Sequence, residues 1–422
     1  MRPSLILILG LLGAQLAWGG HAQGLAADAR SIVGPEQGVY VEASDGTVLL
    51  AQAAARPVHP ASVSKVPTTL ALLRKFGPEH RFATRFATSG RVADGVLFGD
   101  LAVEGGGNPA LVDEDALLIA DRLVELGIRT VAGDLRLRGR LTFDWESDED
   151  GTRLRRALSG QVSAAALAAV RAFELESPAG PTPASLLPQG IQFATVATAF
   201  DVKRTAASDV KNTGNGVRGT GTERTLLMHR SQPLLTLVKS LNDYSNNIFK
   251  PLADEAGGAA AVETLARSAV SESMRSEIIL GDGAGTDSRN RLSPRVAVSL
   301  LRALDTELGT TGHSLVDILP VAGIDDGTLR HRLDAPEEAG RVVGKTGTFG
   351  DYGASALVGA ISTTDRGTVY FAILNHGIPV PEARRRQDRF VRALLAHLHS
   401  APWKYQRDVR PAIARAEVLM AP

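Results

Sequence analysis

Two short apolar-rich runs lie near the start of the chain, Gln37–Glu42 and Thr47–Gln52, and Ser44-Asp45-Gly46 between them is a hairpin signal. After His59-Pro60-Ala61 the period changes. Val63, Val66, Leu70, Leu72 and Leu73 fall at helical spacing and predict a helix starting near Ser62. Pro67 sits about a turn in, placed to bend that helix or end its first segment. From about Phe76 to Met228 the texture differs. Gly-Asp-Leu opens a strand-like stretch at Gly99 and again at Gly133, with helical spacing from Asp113 to Leu126 between them: a strand–helix–strand module with a weak internal repeat. Ser177–Pro188 and Asn212–Thr222 read as loops. Helical patterns return at Leu234–Leu241, Ile248–Ala256 and Ser293–Leu304, the last opened by Ser-Pro. Gly340–Lys345, Ala354–Ser362 and Gly367–Asn375 read as strands, and Gln387–Leu398 as a closing helix. The two ends therefore form one domain, residues 30–78 with 229–400, interrupted by an inserted domain over 79–228 and followed by a C-terminal tail over 401–422.

The first 22 residues carry an export pattern. Arg2 precedes an apolar run from Leu5 to Trp18, and Gly20-His21-Ala22 offers small residues for cleavage near Ala22. No later segment is apolar for long enough to span a bilayer. The expected mature protein is periplasmic, soluble or peripheral to the membrane. Lys+Arg and Asp+Glu are both 46, a balance that argues against a nucleic-acid partner. The absence of cysteine removes disulfides and every thiol mechanism, and the nine histidines form no metal-binding pair on a plausible helix, so neither a metal nor another cofactor is expected.

Three short motifs carry the chemistry. Ser62-Val63-Ser64-Lys65 places a hydroxyl and an amine on one face of a helix. A lysine whose pKa is lowered by burial can take the proton from such a serine, and backbone N–H groups at the helix start favour an oxyanion. Ser245-Asn246-Asn247 lies on a turn between helices, where Ser245 can relay a proton and the Asn247 amide can hold a peptide carbonyl. Lys345-Thr346-Gly347-Thr348 ends an apolar strand. A cation with two hydroxyls beside a strand edge suits an anionic substrate terminus, Gly347 allows close backbone approach, and the Thr348 N–H can complete an oxyanion hole with that of Ser62.

The three motifs, in this order, resemble the signature of penicillin-interacting serine enzymes. Further stretches resemble the D-Ala-D-Ala carboxypeptidase/endopeptidases of the class C low-molecular-mass penicillin-binding proteins, the penicillin-binding protein 4 type. These are His229-Arg230-Ser231, Asp282-Gly283-Ala284-Gly285, Asn290 to Pro294, Leu319 to Gly323, Gly327-Thr328-Leu329 and Gly105 to Pro109. The 183 positions between Ser62 and Ser245 leave room for the family's insertion, here a short one. The resemblance implies an α+β serine β-lactamase/DD-peptidase fold: an antiparallel sheet flanked by helices, with an inserted smaller domain. It implies peptidoglycan stem peptides as substrates, β-lactam antibiotics as inhibitors, and an acyl-enzyme on Ser62 with Lys65 as base. Ser245, Asn247 and Lys345 assist, and Thr346, Gly347 and Thr348 bind substrate.

Two departures stand out. Arg138-Gly139-Arg140 occupies the place where the family shows an acidic residue that reads an amine on the stem peptide, and the loop Phe349–Gly353 is longer than usual. A β-lactamase or esterase of the same fold is the enzymatic alternative, weakened by the lack of a dedicated deacylating glutamate, and a non-catalytic cell-wall binding protein is the other. Gly214 to Gly219 fits Gly-x-Gly-x-x-Gly but follows no buried strand and is read as chance. His59 is expected to be structural, and the basic residues after Trp403 to pack on the body.

Overall fold

The computed structural model describes residues 23–176, 190–194, 222–245, 248–350, 353–410 and 412–421. It divides into two compact units, Met1–Pro78 with Val238–Asp408, and Glu79–Leu237 with Val409–Pro422. The expected export segment, the glycine pattern at 214–219 and most of both predicted loops lie outside the described residues.

The first unit is built on an antiparallel sheet in the order Val342–Phe349, Ala354–Thr363, Thr368–His376, Gly38–Ala43, Val48–Gln52. The hairpin forms at Ser44–Gly46: Gly46 takes φ +90 and the Thr47 N–H donates to the Asp45 carboxylate at 2.8 Å. Successive side chains on a strand point to opposite faces, and that alternation sorts the helices. Val39, Val41, Phe371 and Ile373 bury against Phe390 and Leu394 of helix Val380–His397. Glu42 and Tyr370, on the other face, pair with Arg302 and Asp305 of helix Pro294–Gly309. That helix begins as expected, with Ser293 accepting from the Val296 N–H and proline at its first position. Helix Val380–His397 starts seven residues before the predicted Gln387. Pro381 near its start is the signal, but Arg384-Arg385-Arg386 conceals the apolar stripe of Val380, Ala383 and Phe390.

The predicted helix near Ser62 is a 3-10 turn over Ala61–Ser64 followed by an α-helix over Lys65–Phe76. Pro67 falls in the first α-helical turn, where its missing N–H leaves few bonds unmade, and the helix runs on to Phe76. Val66, Leu70, Leu72 and Leu73 are buried, and the helix packs on helices Pro294–Gly309 and Phe249–Glu255.

In the second unit the two Gly-Asp-Leu strands, Leu101–Gly105 and Leu135–Arg138, lie side by side and parallel, Leu101 opposite Leu135. Helix Asp113–Glu125 joins them, so the repeat is a strand–helix–strand crossover. The Asp100 carboxylate accepts from the Asp134 N–H at 2.8 Å and ties the two motifs together. Arg136 pairs with Asp100 and Asp134, and Arg138 with Glu223.

Residues 401–422 do not form a separate tail. The Trp403 N–H and indole donate to the Gly340 and Arg341 carbonyls, and Tyr405 donates to Asp325 at 2.7 Å. Glu417–Met420 instead adds a strand beside Arg224–Arg230 of the second unit. No helix among the described residues is long and apolar enough to cross a membrane.

Candidate active site

The turn that carries Ser62 is held from three sides. Ala61 takes φ +49, a region that L residues enter at a cost of about 1–3 kcal/mol. His59 supports it: Nδ1 accepts from the Ala61 N–H at 3.1 Å, so Nε2 carries the proton and donates to the Asp287 carbonyl at 3.0 Å. The ring stacks on Phe349 at 3.9 Å, and burial lowers its pKa, which keeps that neutral tautomer. Gly285, at φ +87, packs against the turn from the second side, and a Cβ there would lie 2.0 Å from the Ala61 carbonyl oxygen. Gly347 closes the third, where a Cβ would meet the Pro60 carbonyl oxygen at 2.7 Å and the Ser62 nitrogen at 3.0 Å. Both glycines are therefore demanded by close approach.

Lys65 is fully buried. Its Nζ lies 2.7 Å from Ser62 Oγ and 2.6 Å from the Ala284 carbonyl oxygen. Burial brings its pKa down to about 8, against a smaller upward pull from Asp282. Asp282 keeps the Ala284 carbonyl in place. Its carboxylate accepts from the N–H groups of Gly285, Thr286 and Asp287 and from the Asn290 amide. Burial raises the Asp282 pKa, but those donors and the Thr286 hydroxyl outweigh it and the net shift is downward.

Ser245 ends helix Leu234–Tyr244 at φ +56. Beneath it the Thr328 N–H donates to the Asp243 carbonyl at 2.8 Å, and Gly327 passes so close that a Cβ would lie 2.0 Å from that oxygen. Asp243 is raised to about 7 by burial, opposed by Lys239. Lys345 Nζ donates to Ser245 Oγ at 2.8 Å and to the Thr346 carbonyl at 2.9 Å. It is fully buried, and burial followed by repulsion from Lys65 drives its pKa well below the lysine range, while Asp243 pulls it up.

Strand Val342–Phe349 runs through the whole third motif, four residues beyond the predicted Lys345. It is the edge of the sheet, and the Gly344 N–H donates outward to the Pro320 carbonyl at 3.0 Å. By alternation Thr346 and Thr348 turn their backbone groups to the same edge, toward the Ser62 turn. The Thr346 hydroxyl donates to Thr328 at 2.9 Å, and the exposed Thr348 hydroxyl accepts from Arg384 at 3.0 Å.

The structure thus brings Ser62, Lys65, Ser245, Lys345, Thr346, Gly347 and Thr348 into one site, while Asn247 lies outside the described residues. Sequence reading gave no role to Asp282, Thr328 or Arg384. A buried amine on the Ser62 hydroxyl, a second buried amine on the Ser245 hydroxyl and a strand edge packed against the Ser62 turn make an arrangement suited to acyl transfer.

The model of the D-Ala-D-Ala carboxypeptidase 3 (S13) family matches residues 22–169 and 171–397. The chain belongs to that family. It is a serine DD-peptidase, a hydrolase of the D-Ala-D-Ala carboxypeptidase/endopeptidase class, with the α+β DD-peptidase fold. The D-alanyl-D-alanine carboxypeptidase of Actinomadura sp. (strain R39) is 24% identical over 450 residues, covering 86% of this chain and 82% of that protein. Among solved structures, the penicillin G-acylated Bd3459 predatory endopeptidase of Bdellovibrio bacteriovorus, in complex with immunity protein Bd3460, superposes with a TM-score of 0.71. Its identity is 20%, over 92% of this chain and 99% of that one. Penicillin-binding protein 4 (dacB) of Haemophilus influenzae gives 0.59 at 20% identity over 89% and 99%. At these identities the likeness supports the fold.

Proposed function

We propose that this S13 peptidase works through an acyl-enzyme on Ser62 and cleaves D-alanyl peptide bonds of peptidoglycan stem peptides. The observation that carries the reading is the buried Lys65 amine, 2.7 Å from Ser62 Oγ with its pKa brought to about 8. Neutral Lys65 accepts the Ser62 proton as Oγ attacks the D-alanyl carbonyl carbon, while one of its own N–H groups stays on Ala284. The tetrahedral oxyanion rests on the N–H groups of Ser62 and Thr348. Collapse breaks the C–N bond, and the proton that Lys65 took from Ser62 passes by way of Ser245 to the leaving amine, which leaves Lys65 neutral again. Asn247 orients the peptide, and Lys345, Thr346 and Thr348 face its terminal carboxylate. Water, deprotonated by Lys65, then releases the acyl group and restores Ser62.

The same geometry predicts covalent capture of β-lactams at Ser62. Export to the periplasm is part of the proposal, supported by the Arg2 to Ala22 pattern and by a substrate built outside the cytoplasm. The test is labelled penicillin followed by peptide mapping, with defined muropeptides read by mass spectrometry. The expected adduct lies on Ser62 and is lost in Ser62→Ala; labelling that survives that substitution unchanged rejects the assignment.

A further inference from the structure

Helix Val380–His397 carries three consecutive arginines that meet different fates. Arg385 and Arg386 reach back to Glu382, three and four residues before them, at 2.6 and 2.8 Å. Arg384 points elsewhere. Its Nη2 donates to Thr348 Oγ1 at 3.0 Å, on the edge of the strand that bears Lys345 and Gly347. Among the described residues no carboxylate pairs with it. Its neighbour Arg332 is already taken by Asp388 at 2.6 Å. Partial burial and the Arg332 charge both disfavour the Arg384 cation, against a weaker pull from Asp388. A guanidinium has five donors in a planar fork that matches a carboxylate, and among the described residues only one of them is used.

We propose that Arg384 is a specificity-determining residue that binds the free C-terminal carboxylate of the substrate, together with the Thr348 hydroxyl it already holds. The proposal rests on the Ser62 acyl-transfer reading and deepens it. An exopeptidase substrate ends in a carboxylate one residue beyond the scissile carbonyl, and a cross-linked endopeptidase substrate can present an uncharged continuation there. Arg384 therefore biases the site toward chain ends. Lys345 cannot supply this discrimination alone, because it is fully buried with its amine on the Ser245 hydroxyl and the Thr346 carbonyl, whereas Arg384 is exposed.

The experiment compares two substrates, an N-acylated Lys-D-Ala-D-Ala with a free carboxylate and its C-terminal amide, on wild type, Arg384→Ala and Arg384→Lys. The readout is the ratio of kcat/KM for carboxylate over amide. It is expected to fall about 10- to 100-fold in Arg384→Ala, the loss of a charge-assisted pair, and to sit between in Arg384→Lys. A purely structural role for Arg384 would lower both substrates together and leave the ratio unmoved, and that result, or an unchanged enzyme, overturns the proposal. Ser62 labelling by penicillin is read on all three proteins in parallel. Labelling with an unmoved ratio sinks the Arg384 assignment alone, whereas absence of labelling in wild type sinks the acyl-enzyme reading beneath it.

Discussion

Replacing Lys65 by methionine should separate stability from activity. The side chain keeps its length and loses the amine, so packing against the Phe249 ring persists. The folded chain holds Lys65 near pKa 8, against 10.5 for a free lysine. That difference of about 2.5 units corresponds to about 3 kcal/mol of unfavourable burial. Because the folded state prefers the neutral amine, the penalty is full below about pH 8 and fades as pH rises toward 10.5. At pH 7 Lys65→Met removes it and forfeits the bonds to Ala284 and Ser62, each worth about 1 kcal/mol. The variant is therefore expected to be as stable as wild type or more stable, by no more than about 3 kcal/mol. Acylation should fall by about 10²–10⁴-fold, the usual contribution of a positioned base. In wild type only about a tenth of Lys65 is neutral at pH 7, so acylation should climb about tenfold between pH 7 and 9 and then level. The assays are urea unfolding and the second-order rate of labelling by a fluorescent penicillin across pH. A variant that labels within tenfold of wild type, or a wild-type rate flat from pH 6 to 9, would refute the assignment of Lys65 as base.

Gly285→Ala places a Cβ 2.0 Å from the Ala61 carbonyl oxygen at a backbone φ of +87, so penicillin labelling should drop at least tenfold with a loss of a few kcal/mol in unfolding free energy; a variant that matches wild type in both shows that the Ser62 turn is not held there. His59 has a lowered pKa in the folded chain, so its contribution to stability is present above the free value of about 6.5 and is lost as pH falls below it, when a protonated Nδ1 would face the Ala61 N–H. His59→Asn, which cannot titrate, should lose less stability than wild type between pH 7.5 and 5 in chemical unfolding, and parallel losses would dismiss the mechanism.

Much of the site was legible because its chemistry is local in sequence. Ser62 and Lys65 are one turn apart, and Lys345 to Thr348 are consecutive, so spacing alone brings each set together. The sheet was legible for a similar reason: continuous apolar runs such as Ala354–Ser362 are buried on both faces and read as strands at first sight. What was hidden depends on contacts far apart in the chain. Asp282 acts by holding the Ala284 carbonyl against Lys65, and a loop carbonyl has no sequence signature. Arg384 lies before the predicted helix start at Gln387, because exposed arginines mask the buried stripe of Val380, Ala383 and Gln387. Gln387 itself looks like a surface residue, yet it is fully buried, donating to Ser355 and Asn375. The shift from α-helix to 3-10 turn at Ser62 follows from the positive φ of Ala61, imposed by His59, Gly285 and Gly347 together rather than by local propensity.

The two lysines are coupled electrostatically. Neither Lys65 nor Lys345 has a carboxylate within ion-pair distance among the described residues, and burial makes each hold its proton less firmly than a free lysine does. Ammonium groups this close titrate as a pair: a proton on one lowers the affinity of the other. An anionic substrate terminus changes the balance. Its charge favours the protonated form of Lys345, and a protonated Lys345 pushes Lys65 further toward the neutral base that Ser62 requires. A carboxylate beside Thr348 thus prepares the base for the attack of Ser62. Substrate charge then acts on the base as well as on affinity, so part of the discrimination belongs in kcat rather than in KM.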